Sequence, residues 1–533
     1  MTQELAADPG LGRLADAVLI PPFPGPDAPP WIRAALSDGL AGVTLFGPNV
    51  IDRDQLARLT GELRAAAAEP IIAIDEEGGD VTRISHQTGS DYPGNAALGA
   101  VDDVALTEAV YAALGADLLN LGINLNLAPA IDVNTAADNP VIGTRSFGAD
   151  TALVSRHAAA AVQGLQSAGV AACAKHFPGH GSTLLDSHDV IVTVEGSLQD
   201  LRTRDLPPFE AAIKAGVRAI MPSHLRVPEL TGDLPASLSY AALTGLLRGE
   251  LGFTGVIVSD GLEMRAVSEP FGIPEAAVLA VAAGTDLLCL GRDIDQLTFL
   301  AVRGALVDAV RSGKLSGERL EEAAARVAEL RAWTARAVEA AQAQATTARA
   351  ASADGQGAAG RSRSRQAGVG AGRPGQADVP GQAGPADVGL AAARRALLAT
   401  GELAPLSRPL VVQLVPPSNM AAGLVPWGIG PWLPAGSIHQ VSTATAAEQL
   451  GTVAAELLAE AAGRSLIIVV RDAHRYPAAT GLVSLLLDAR PDAVVVEMGL
   501  PVWRPSAASY LASYGAGRSN ALAVAERLGL APG

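Results

Sequence analysis

The chain has 533 residues, 49% of them hydrophobic, and a formal net charge of −16. That length exceeds one ordinary core and predicts two or three domains, and the acidic balance argues against a nucleic-acid partner, which would need a basic face. The N-terminal segment MTQELAADPGLGRLADAVLI puts acidic residues where an export signal needs a basic one, no transmembrane span is visible, and Cys173 and Cys289 lie in apolar runs suited to buried reduced thiols, so a cytoplasmic protein is expected.

Apolar runs that fit buried strands occur at 16–20 (DAVLI), 42–46 (GVTLF), 71–75 (IIAID), 123–129 (INLNLAP), 170–174 (VAACA), 218–222 (RAIMP), 255–259 (GVIVS) and 285–290 (TDLLCL). Segments with helical spacing lie between them at 54–67, 104–119, 153–167, 208–215 and 240–251. Strand alternating with helix indicates a parallel sheet, and eight repeats predict a (β/α)8 TIM barrel over residues 1–340, with an open doubly wound sheet as the competing fold. Ala-rich helical sequence from Ser316 then gives way to a Gly, Ala, Gln, Arg and Pro mixture that cannot bury enough apolar surface to order itself. Residues 341–388 therefore read as a flexible linker. A helix is expected over 390–400, followed by a smaller α/β domain completing 389–533, with strands in PLVVQLV, SLIIVVRD and AVVVEMG and helices at 446–462 and 481–488.

A barrel collects its chemistry at the C-terminal ends of its strands. Polar residues gather there: Asp75-Glu76-Glu77-Gly78-Gly79, Lys175-His176, Ser223-His224 and Ser259-Asp260-Gly261. The densest stretch is KHFPGHGSTLLDSH, residues 175–188. His176 and His180 are separated by Pro178 and Gly179, which break the helix that a metal-binding HxxxH pair would need, so no metal is expected and His180 reads as a hydrogen-bonded structural histidine. In Asp186-Ser187-His188 the first and third side chains of an extended segment share a side, so Asp186 can orient His188 for general acid and base work.

KHFPGHG with DSH, DEEGG with Arg83 downstream, NPVIGTRSFG at 139–148 and SDGLEM at 259–264, in this order and spacing, resemble the bacterial β-N-acetylglucosaminidases of glycoside hydrolase family 3 over roughly residues 12–340. The resemblance implies that Asp260 is the nucleophile and His188 the general acid/base oriented by Asp186. It also implies that Asp75, Arg83, Arg145, Lys175 and His176 hold the hydroxyls of an N-acetylglucosamine ring, that no cofactor is needed, and that the substrate is a small carbohydrate such as a cell-wall muropeptide. Arg145 has the alternative of pairing with a carboxylate at the barrel rim. The second domain resembles, more loosely, the sandwich-like domain of many family-3 chains, and its Arg471, Asp472, His474 and Arg475 either reach toward the active site or cap their own sheet. This chain departs from the family's commoner DQEGGRV at Glu76 and Asp80, and has Ser182 and Gly261 where acidic residues are frequent.

The expected activity is that of a retaining exo-β-N-acetylglucosaminidase without nucleic-acid or membrane partners; the sequence leaves the oligomeric state open, with a monomer favoured. A β-N-acetylglucosaminide phosphorylase is the rival within the class, since an imidazole acid/base spares incoming phosphate the repulsion of a carboxylate. A family-3 β-glucosidase, a metal-dependent barrel hydrolase and a catalytically inactive sugar-binding protein are the remaining readings.

Overall fold

Among the described residues of the computed structural model, which are 9–185, 191–194, 196–359, 385–417, 421–507 and 509–532, eight short parallel strands form a ring in the N-terminal part of the chain. They are β1 (Leu19–Ile20), β2 (Gly42–Leu45), β3 (Ile71–Ile74), β4 (Leu125–Asn126), β5 (Ala171–Phe177), β6 (Ala219–Pro222), β7 (Val256–Ile257) and β8 (Leu288–Cys289). β2 to β7 pair in sequence order and β8 pairs with β1. A bridge from Val258 to Leu287 joins β7 to β8, and Ala41 N–H to Asp16 (2.9 Å) with Thr44 N–H to Pro21 (3.2 Å) joins β1 to β2. Among the described residues this sheet has no free edge, so the barrel expectation holds and the open sheet does not.

Alternation along each strand sorts the residues into two cores. Ile71 and Ala73, Ala171 and Cys173, Ala219 and Met221, and Val256 and Val258 pack inside the ring with Ile20, Leu125, Leu127, Leu287 and Cys289. Their neighbours, among them Ile72, Ile74, Ala172, Ala174, Ile220 and Ile257, face the surrounding helices in a larger outer cluster. The thiols of Cys173 and Cys289 are both free and buried. Val327, Leu330 and Trp333 of the helix Gly317–Ala359 close the N-terminal end of the ring. Near that end Asp286 is gripped by Arg248, Arg319 and Arg326. With the bottom filled by packing and ion pairs, the open mouth lies where β3, β5 and β7 end.

Gly317–Ala359 is one continuous helix, and a second helix, Pro385–Ala396, begins inside the expected linker. Alanine favours helix where no packing constrains it, so low complexity does not by itself stop a helix. The helix expected over 390–400 ends at Ala396, and Leu398–Thr400 is instead an antiparallel edge strand, β9.

β9 borders a second sheet with β10 (Leu410–Val415), β11 (Ile438–Ser442), β12 (Leu466–Val470), β13 (Val494–Glu497) and β14 (Ser509–Ala512), in the order β11-β10-β12-β13-β14-β9. All of its pairings except that of β9 with β14 are parallel. Helices cover both faces: Leu450–Glu460 and Pro477–Ala489 on one, Arg518–Arg527 on the other. The helical stretch expected over 446–462 is broken into Thr443–Glu448 and Leu450–Glu460. This domain docks on the barrel mouth, through Arg471 to Asp80 (3.1 Å), Ser519 N–H to Ser90 (3.2 Å) and His474 to the Ala137 carbonyl (2.9 Å). Arg471 and His474 thus contact the barrel rather than only capping their sheet. Among the described residues no single helix is long and apolar enough to cross a membrane.

Candidate active site

The inward alternation that fills the barrel continues one step past its apolar residues. Ile71 and Ala73 are followed by Asp75, Ala171 and Cys173 by Lys175, and Val256 and Val258 by Asp260, so three strands deliver charged side chains to one mouth. Lys175 Nζ lies 2.7 Å from Asp75 Oδ1 and 2.8 Å from Glu77 Oε1. Arg145, on the short turn Gly143–Arg145, grips Glu77 through both Nε and Nη2 at 2.8 Å. The carboxylate pairing weighed for Arg145 is therefore present, and it coexists with Arg145 lining the pocket.

Burial raises the Glu77 carboxyl, but Arg145 and Lys175 together outweigh it and hold the group well below the usual carboxylate range. For Lys175, burial is likewise outweighed by Asp75 and Glu77, which raise its pKa and keep the ammonium charged. Two cations and two carboxylates at this spacing form a charged, donor-rich wall that can bind hydroxyls bidentately.

His176 follows Lys175 and by alternation would face outward. The register of β5 against β6 shifts between Lys175 and Phe177, and this irregularity lets both Lys175 and His176 line the mouth. Asp132, on the loop after β4, accepts from His176 Nδ1 at 2.8 Å and from the His180 backbone N–H at 2.7 Å. With its Nδ1 proton donated to Asp132, His176 presents Nε2 toward Arg145 Nη2, 3.3 Å away. His180 is buried with its Nδ1 2.8 Å from Thr183 Oγ1, and burial lowers its pKa to about 4, so it stays neutral in this scaffold.

The turn after β3 is built for a sharp return. Gly78 and Gly79 both have positive φ, 80° and 56°, and a Cβ on Gly79 would lie 2.6 Å from Gly94. Glu76 stitches the returning limb with its Oε2, accepting from the N–H groups of Arg83 (2.8 Å) and Ile84 (3.1 Å). Arg83 then points back over the mouth, 3.9 Å from Asp75 and donating to the Ala421 carbonyl of the second domain at 2.9 Å.

Burial pushes Glu76 up from 4.5 to about 7. Below pH 4.5 it is neutral folded and unfolded; from there to about 7 the unfolded chain ionises first, so its contribution to stability falls as pH rises and then levels off. Glu76→Gln should therefore gain melting temperature over the wild type between pH 4.5 and 7, and hold the gain above that range. Parallel pH curves for the two proteins would contradict this assignment.

Asp260 is half-buried, with its Oδ1 accepting from the Gly261 N–H at 2.8 Å. His224, from the end of β6, supports the same turn: its Nε2 is 3.0 Å from the Gly261 carbonyl and its Nδ1 2.7 Å from Ser237 Oγ. Asp260 borders two spaces that share it with Asp75, Arg83 and Ala421. One is a tight pocket with Asp75, Glu77, Arg83, Arg145, Lys175 and His176; the other is a wider cleft of 490 Å³ reaching Phe46, His86, Met264 and Leu424. Asp186 and His188 lie outside the described residues. Among the described residues no group of three His, Cys, Asp or Glu side chains is placed to hold a metal ion.

The structure thus brings Asp75, Arg83, Arg145, Lys175, His176 and Asp260 together. In the sequence Glu77 stands among the polar residues at the end of β3 without an assigned role, and Asp132 is not singled out. Glu77 lies two residues beyond Asp75 in a turn announced by Gly78-Gly79, a signal that was available; Asp132 sits past an irregular strand end and carried none.

Residues 32–330 match the family described as the glycosyl hydrolase family 3 N-terminal domain. The chain is 36% identical over 330 residues to the beta-hexosaminidase A of Pseudoalteromonas piscicida, spanning 57% of this chain and 55% of that protein. It is 38% identical over 265 residues to the beta-hexosaminidase LpqI of Mycobacterium tuberculosis, spanning 49% of this chain and 67% of that one. Among solved structures, a glycoside hydrolase family 3 beta-N-acetylglucosaminidase from Paenibacillus sp. str. FPU-7 is similar with a TM-score of 0.80 and 31% identity, covering 97% of this chain and 96% of its own.

Proposed function

Because the chain belongs to glycosyl hydrolase family 3, we propose that it is a retaining exo-β-N-acetylglucosaminidase and that Asp260 forms the bond to the sugar. The observation that carries this reading is the position of Asp260 on the border between the hydroxyl-binding pocket and the wider cleft, where the anomeric carbon of a bound sugar would sit. The far wall of the pocket consists of the buried Arg145, Lys175, His176 and His180, so the ring enters with its non-reducing end inward and the enzyme removes terminal residues. Lys175, Arg145 and Arg83 donate to ring hydroxyls and Asp75 accepts from them. The leaving group lies in the wider cleft, which has room for the remainder of a muropeptide.

In the first step an Asp260 oxygen attacks the anomeric carbon as the glycosidic bond breaks, and His188 gives its proton to the departing oxygen. In the second, water attacks the same carbon, His188 takes a proton from it, and the Asp260 carboxylate is released. Asp186 keeps the His188 imidazole oriented and offsets its charge. An imidazole needs little pKa tuning to act both ways near neutrality.

Release of the aryl alcohol from an aryl N-acetyl-β-glucosaminide, compared with the matching β-glucoside, tests the substrate; faster turnover of the glucoside would overturn it. Running the reaction in phosphate and assaying sugar-1-phosphate tests hydrolysis, because its accumulation would identify a phosphorylase. His188→Ala should slow glycosides with poor leaving groups far more than activated aryl glycosides, and equal losses on both would contradict the acid role.

A further inference from the structure

We propose that Arg471, in the second domain, is a positioning residue for the sugar pocket, acting through Asp80. Asp80 sits in the turn between Asp75 and Arg83, its side chain only 4% exposed, and three groups converge on its carboxylate. Thr144 donates to Oδ2 at 2.5 Å, Arg471 Nη2 lies 3.1 Å from Oδ2, and the Ala516 N–H donates to Oδ1 at 2.8 Å. Thr144 immediately precedes Arg145, and Asp80 is three residues from both Glu77 and Arg83. The two limbs of the barrel that carry the Glu77–Arg145 pair are therefore tied at one carboxylate, whose charge is balanced from the other domain.

Packing around the junction is close enough to transmit a displacement. A Cβ on Gly517 would stand 3.1 Å from the Gly79 Cα, while Gly79 is pressed against Gly94 on its other side. The Arg471 guanidinium is steadied over the Trp427 ring at 5.8 Å. Arg471 lines neither the pocket nor the cleft, so its influence on the sugar runs through the turn. Without it, Asp80 is a nearly buried carboxylate lacking its cation, and the turn shifts to reach water. The chain then no longer holds Glu77, Arg145 and Asp75 in the geometry that fits the ring.

The test is steady-state kinetics of Arg471→Ala, Arg471→Lys, Asp80→Asn and the Asp80→Asn/Arg471→Ala double variant on an aryl N-acetyl-β-glucosaminide, each with a melting curve. Arg471→Ala should raise KM by about tenfold with kcat changed by less than about threefold. Arg471→Lys should recover part of the loss, and the double variant should be no worse than Asp80→Asn alone. Merely unfolding a fraction of the enzyme would lower apparent kcat and leave KM untouched. An unchanged KM in folded Arg471→Ala would overturn the proposal, as would additive losses in the double variant; should the alanine variant not fold, an unchanged KM in Arg471→Lys and Asp80→Asn would do the same. The proposal rests on the glycosidase reading, and the two fail differently: an inactive wild type removes that reading, and an active wild type beside indifferent variants removes the positioning role alone.

Discussion

Asp260→Ala should lower kcat for an aryl N-acetyl-β-glucosaminide by at least about 10⁴-fold, since the proposed double displacement then loses its nucleophile and keeps only binding and proton transfer. The fold should tolerate the change. Asp260 is half-buried, and the turn that carries it keeps the support of His224 on the Gly261 carbonyl. The loss should therefore appear in kcat while the melting temperature moves by no more than a few degrees. A variant retaining even a tenth of the wild-type rate would remove Asp260 from the mechanism.

Glu77→Ala should have the largest effect on the protein as a whole. Glu77 is 3% exposed at its side chain and pairs with both Arg145 and Lys175 at 2.8 Å, so its removal leaves two buried cations with Asp75 as the remaining carboxylate beside Lys175. Breaking such a buried pair costs about 3–5 kcal/mol, more than the gain from the deleted side chain can offset. Glu77→Gln keeps the shape and isolates the charge. Because the folded-state pKa of Glu77 is depressed below its ordinary 4.5, the stabilisation it supplies is present above that value and is lost as pH falls below it. The wild type should thus lose stability on acidification more steeply than Glu77→Gln, as read by denaturant unfolding at a series of pH values. Identical slopes would mean that the Arg145 and Lys175 pairs contribute nothing to the fold.

The barrel and most of its mouth were legible in sequence because one rule serves both. The alternation that puts Ala171 and Cys173 inside the ring puts Lys175 at its rim, and the same holds for Ile71, Ala73 and Asp75 and for Val256, Val258 and Asp260. What escaped depends on three-dimensional closure. Asp132 follows a strand of only two residues, and nothing in its neighbours signals that it will hold His176 and the His180 backbone. Asp80 stood out only as an unexpected negative charge; the cation that balances it is Arg471, 391 positions later in a different domain. The length of the helix Gly317–Ala359 and the edge strand Leu398–Thr400 were not legible for local reasons, since composition fixes neither where an Ala-rich helix stops nor which short segment finds a sheet edge.

The most direct test of the account is to quench the enzyme in acid during turnover of an activated aryl N-acetyl-β-glucosaminide and weigh the peptide that carries Asp260, in the wild type and in His188→Ala, where the second step is slowed. A gain of one N-acetylhexosaminyl group on Asp260, enriched in His188→Ala and absent from Asp260→Ala, is the predicted result. An unmodified Asp260 peptide alongside an adduct on another residue, or release of the sugar with inverted anomeric configuration, would contradict it.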